Sequence, residues 1–190
     1  MKFLLALFLL LYSYAAVRYH LGKELGFSAF LYVFNKALAW WSASVLLLSI
    51  LPNDKLKRMG LTKRATGSYG YTVALVHILV AFYLLSPTYY PQFFDGEELN
   101  FHGWASISIG FLSLLFFSFP LIATWKNYSA RHFFKLGRFG VLLNILHVFS
   151  IGVYNWFPAS AWPFYLPPIT LIFVTLALSL LFYRYVLLKN

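Results

Sequence analysis

Gly67-Ser-Tyr-Gly70 with His77, and Gly137-Arg-Phe-Gly140 with His147, are two copies of one pattern set seventy residues apart. Each stands early in a long apolar run behind basic residues, Lys63 and Arg64 before the first copy, Lys135 and Arg138 around the second. A helix turns about 100° per residue, so a glycine seven positions before a histidine lies within roughly 20° of it, two turns away on the same face. Gly70 and Gly140 would then leave a side-chain-free notch beside each imidazole. Two parallel helices with such faces suit a flat, bulky ligand held between them by one ring nitrogen from each side.

Working outward, the 190-residue chain is 61% hydrophobic and 22% aromatic, with 11% charged residues and a mean hydropathy of +0.72. Soluble domains carry about 25% charged residues, and apolar runs of about 20 residues cross a bilayer. The composition specifies an all-α integral membrane protein. Without cysteine there is no disulfide, thiolate metal site or iron–sulfur cluster. Any redox role needs a cofactor held otherwise.

Six spans are predicted in one transmembrane domain, at about 3–19, 30–51, 65–86, 102–124, 134–157 and 164–185. The first could be a signal peptide, since Ser13-Tyr14-Ala15 loosely resembles a cleavage site, but its length and the bulky Tyr12 and Tyr14 suit a retained helix. Arg18, His20, Lys23 and Glu24 read as a short polar loop, Lys55 to Arg64 as a basic loop, and Pro120 as a kink in the fourth span.

The net charge of +10 is unevenly placed. If the loop between spans two and three is cytoplasmic, that side holds twelve of the fifteen basic residues, and the other side keeps four of the five acids. This fits the positive-inside rule, with both termini cytoplasmic, and it leaves no surface pattern for nucleic acid. It also makes spans three and five parallel. His77 lies ten residues beyond Gly67, about 15 Å along the helix and near the middle of a roughly 30 Å hydrocarbon core; His147 stands likewise beyond Gly137.

Away from their ends the spans contain no aspartate, glutamate or arginine, and the polar residues to weigh are Lys36, His77, Asn144 and His147. That argues against an ion-coupled transporter, whose relays use buried carboxylates. Lys36 can snorkel. Either histidine alone could be a neutral imidazole joining helices through a hydrogen bond. As a pair at matched depth they point to ligation. Zinc would need about four ligands, whereas haem iron, with four porphyrin nitrogens, needs only two axial histidines. Such closure leaves iron to pass electrons rather than bind oxygen. Gly67, Gly70, Gly137 and Gly140 are expected to pack against the haem, or to let helices approach each other. Arg64 and Arg138 could pair with its propionates, or serve as boundary charges. His102, at the outer end of span four, could contact a quinone, a metal or a propionate, or simply cap a helix.

Lys36-Ala-Leu, Leu51-Pro52, Lys63-Arg64 with Gly67, His77, Tyr83 and Leu146-His147 together resemble the ferric reductase-like transmembrane domain family, over about 35–157. Within that family the layout is similar to the haem-binding membrane subunit of bacterial methionine sulfoxide reductase systems. The resemblance implies b-type haem on His77 and His147. Members often carry a further histidine on these spans; none stands at 64–67 or 134–137, which implies a single haem, as in six-span metalloreductases.

The expected function is therefore electron transfer in a bacterial inner membrane. A separate cytoplasmic flavoprotein or a quinol would donate, and a periplasmic reductase, metal ion or quinone would accept near the outer face. The chain would be a subunit of an oxidoreductase rather than a complete enzyme. The alternative is a haem-free membrane scaffold or assembly factor that keeps the fold.

Overall fold

The computed structural model describes residues 2–20, 26–126 and 131–186. Lys23, Glu24 and Lys189, which enter the charge pattern above, lie outside the described residues. Among the described residues, six helical segments are long and apolar enough to cross a bilayer. They correspond to α1 (Lys2–Tyr19), α2 (Phe27–Leu48), α4 (Lys63–Tyr83), α5 (Phe101–Trp125), α6 (Arg131–Gly152) and α7 (Ile169–Tyr185), the last two segments running Lys135–Asn155 and Pro163–Tyr185. Among the described residues the fold is all-α apart from one two-residue strand pair, β1 (Phe94–Asp95) with β2 (Glu98–Leu99). Exposed leucines and phenylalanines, among them Leu10, Leu79, Phe111, Leu142 and Leu176, give the bundle an apolar exterior compatible with a multi-pass membrane protein.

The helix ends follow local chemistry. Thr62 Oγ1 accepts from the Ala65 N–H at 3.1 Å to start α4, and Asn100 Oδ1 accepts from Gly103 N–H at 2.8 Å to start α5. The basic loop contains a helix that the sequence reading missed, α3 (Asn53–Arg58). Asp54 in its first turn and Lys57 and Arg58 in its last complement the helix dipole, Leu56 is fully buried beneath it, and Gly60 at φ 68° turns the chain out. With a single apolar anchor, the segment shows no helical period. Arg18 belongs to α1 rather than to a loop: it is buried, and its Nη1 donates to the Leu166 carbonyl. Between α6 and α7, Pro158, Pro163, Pro167 and Pro168 remove donors and disfavour helix at the preceding residues. α6 accordingly stops at Gly152 and α7 starts at Ile169, each five residues short of the sequence reading. α5 runs through Pro120, whose ring lies beside Gly137 of α6.

Two hairpin-like pairs, α2 with α4 and α5 with α6, make the tightest packing; α1 lies on α2, and α7 lies on α6 and touches α2. The histidine helices α4 and α6 are not packed on each other. The starts of α4 and α6 meet the ends of α2, α5 and α7, so α4 and α6 run parallel. This end of the molecule, called the basic end below, carries Lys55, Lys57, Arg58, Lys63, Arg64, Arg138 and Arg184.

Gly70 of α4 abuts Leu46 of α2, and Gly140 of α6 abuts Phe117 of α5. The notch that the sequence reading reserved for a ligand is thus filled by the other long helix of the same hairpin, and neither glycine lines a cavity. A Cβ at Gly70 would stand 2.7 Å from Leu46 Cγ and 3.1 Å from its backbone nitrogen, whereas one at Gly67 would meet nothing within 4 Å. Gly70→Val is therefore expected to lower stability by about 1–3 kcal/mol through overpacking. Gly67→Ala should be neutral or stabilising, because alanine favours helix over glycine by about 1 kcal/mol. Unfolding curves of the two variants in detergent would check this; equal destabilisation would contradict the α2–α4 contact.

Candidate functional site

His77 and His147 line one cavity between the two hairpins, and each is fixed by the other long helix of its own hairpin. His77 Nδ1 lies 2.8 Å from Asn35 Oδ1, and Asn35 Nδ2 donates to Tyr90 Oη at 3.3 Å. With Oδ1 facing the ring, as the structure sets the amide, Nδ1–H of His77 donates to Asn35 Oδ1. Asn35 is fully buried, so this two-sided bond fixes both ring and amide. His147 Nδ1 lies 2.8 Å from the Ser106 backbone oxygen. A carbonyl only accepts, so the proton is on Nδ1 and the Nε2 lone pair is free. Neither Nε2 has a protein hydrogen-bond partner among the described residues.

Gly110 makes room for the second ring. A Cβ there would fall 2.6 Å from Cε1 and 3.0 Å from Nε2 of His147, so any side chain would push the imidazole off α5. Ser113 Oγ, one turn on, donates to the Gly140 carbonyl at 2.9 Å and locks α5 to α6 beside it. Asn144, one turn before His147, also borders the cavity.

The walls are otherwise mostly apolar, with Trp40, Leu46, Phe117 and Phe173 among them, and no carboxylate lines the space. The single cation is Lys36, whose Nζ sits 4.9 Å from the ring centres of both Tyr32 and Tyr90. Two aromatic faces thus hold the ammonium on the border of the cavity, where the sequence reading only let it snorkel. The cavity encloses about 200 Å3, below the roughly 300–1,000 Å3 of a pocket for a drug-sized ligand. A porphyrin enters only if side chains on its border swing aside. Phe82 and Phe111, 57% and 63% exposed, stand on that border.

Arg64 and Arg138 do not belong to this cavity. With Gly67 and Gly137 they line a second one, of about 510 Å3, at the basic end, and Leu46 and Phe117 border both. Arg64 lies thirteen residues before His77, about 20 Å along α4, beyond the reach of a propionate on iron level with the histidines. Of the four glycines expected to pack on a ligand beside the histidines, none borders the histidine cavity. His102 lines neither cavity. Its ring is wedged between Phe93 (5.5 Å) and Tyr154 (4.8 Å), and its Nε2 is buried without a hydrogen-bond partner among the described residues.

No cluster of three or more histidine or carboxylate side chains that could hold a metal occurs among the described residues. The chain matches no protein-family model, and no curated protein matches it in sequence.

The residues missed in the sequence are the ones that hold the rings. Asn35 carried a signal, an amide beside Lys36 inside an apolar span. Ser106 acts through its backbone and Gly110 by lacking a side chain, so neither had one. Removing the amide in Asn35→Ala leaves both the His77 N–H and the Tyr90 hydroxyl unpaired, whereas Tyr90→Phe leaves only the Asn35 N–H, at about 1–3 kcal/mol for each unpaired buried group. Melting temperatures should fall in that order, and the reverse order would refute the assigned role of Asn35.

Proposed function

We propose that the chain is a b-type haem-binding electron carrier spanning a membrane with six helices and both termini on the cytoplasmic side. The observation that carries this reading is the pair of imidazoles on parallel, unpacked helices, each with Nδ1 bonded to a neighbouring helix and Nε2 unpaired, bordering one cavity. A ligating histidine almost always donates its other ring N–H to a carbonyl or carboxylate, which fixes the tautomer and raises ligand basicity. Haem, when bound, supplies a one-electron iron couple.

The chain's own contribution is orientation, charge and exclusion of water. Asn35 and the Ser106 carbonyl set the two rings, and Gly110 leaves the second ring space. Lys36 offers the one positive charge to a propionate at the Tyr90 side of the cavity. The apolar walls keep the local dielectric low. Electrons would enter from a separate flavoprotein or quinol and leave toward an acceptor at the outer face, in a membrane such as the bacterial inner membrane. A haem-free scaffold is the rival reading, favoured by the modest 200 Å3 of the cavity. A colourless, stable preparation from haem-replete cells would establish it.

Reduced-minus-oxidised spectra of the purified chain should show a b-type band. His77→Ala and His147→Ala should each abolish it, and Gly110→Leu should deplete it by displacing the His147 ring. Normal haem content in either histidine variant removes that residue as a ligand. Lys36→Met should keep the band but lower the midpoint potential, because the lost cation favoured the reduced, less positive iron. An unchanged potential would place the propionates elsewhere.

A further inference from the structure

At the basic end, Lys63 and Arg64 of α4, Arg138 of α6 and Arg184 of α7 converge on the 510 Å3 cavity, with no acidic side chain on its border. A preference for positive charge on one membrane face requires only that such residues lie on that face. It does not require four of them, from three helices spread over more than a hundred residues, around one concave space. Like charges gathered this way repel, and a multivalent anion between them turns the repulsion into attraction.

We infer that this cavity binds a phosphate-bearing ligand. Three guanidinium forks and an ammonium match phosphate oxygens, the forks in bidentate fashion. Lys63 and Arg64 begin α4, whose first turn adds free N–H groups and the positive end of a dipole. The Ser68 hydroxyl, on the border of the cavity, makes no hydrogen bond to the protein among the described residues and is a further donor. Gly67 opens the floor, since nothing lies within 4 Å of where its Cβ would be. Lys63, Arg64 and Arg138 are exposed and Arg184 half-buried, so a ligand can arrive from the bilayer or from water. Basic pockets between membrane helices take anionic lipid headgroups, and a soluble phosphate compound would use the same groups. The inference does not depend on haem: the two cavities are lined by different polar residues, and loss of His77 leaves this one intact.

The test uses the full chain in zwitterionic micelles, with the melting temperature followed while phosphatidylglycerol is added in one arm and sodium pyrophosphate in the other. A saturable rise with the lipid alone identifies a headgroup site, and one with pyrophosphate identifies a soluble ligand. Arg64→Gln with Arg138→Gln should weaken the response about tenfold or more, as the loss of charge-assisted bonds implies. Lys57→Gln with Arg58→Gln, which removes equal charge at the same end but off the cavity, should leave it unchanged. Gly67→Leu fills the space while keeping all four cations and should block binding. The inference is overturned if neither addition gives a saturable rise, if the control pair loses as much as the cavity pair, or if Gly67→Leu binds like the parent.

Discussion

Each imidazole is bound at Nδ1 by the other long helix of its own hairpin, and the site depends on that constraint. A histidine loose in an apolar bundle would turn to any nearby carbonyl and help two helices associate. Here the bond is made within one hairpin, from α4 to Asn35 of α2 and from α6 to Ser106 of α5. The other ring nitrogen is therefore left unused. Because α4 and α6 do not pack on each other, both histidines border the space between the hairpins.

The two hairpins are built on one plan, which reaches beyond the glycine–histidine pattern. Asn35 and Ser106, Leu46 and Phe117, and Ser42 and Ser113 are each seventy-one residues apart; Gly70 and Gly140, like His77 and His147, are seventy apart. In both copies the first helix supplies the acceptor for the imidazole and, eleven residues on, the side chain that fills the glycine notch. Gly110 stands where the first copy has Ala39, and both border the cavity. Parallel repeats of this kind hold matched residues at matched depth without further adjustment. The copies differ in charge, for Lys36 corresponds to Ile107. That difference gives the cavity a positive side.

Leu46 and Phe117 separate two environments along the parallel helices. On one side lie two uncharged rings, a single ammonium between tyrosines and apolar walls. On the other lie four cations and no acid. The first environment suits a cofactor held by neutral donors, where burial strengthens each polar contact. The second is open, strongly positive and shaped for a ligand that brings its own negative charge. Only a few helical turns separate them along α4 and α6.

Much of this was legible in the chain. Composition and run length determined six apolar helices, charge placement gathered the basic residues at one end, and the repeated spacing set His77 and His147 at matching positions of parallel helices. These properties depend on residue type and on periodicity along a single helix, and both are written in order along the sequence. The partners were not legible. Which helix fills the notch at Gly70, which atom receives the His77 proton, and how Arg64, Arg138 and Arg184 come to surround one space are relations between helices far apart in sequence. A backbone carbonyl such as that of Ser106 has no residue-specific signature, and a glycine such as Gly110 acts by absence. Only the packing of α2 on α4 and α5 on α6 decided those, because contact between helices is fixed by the shapes of two faces together.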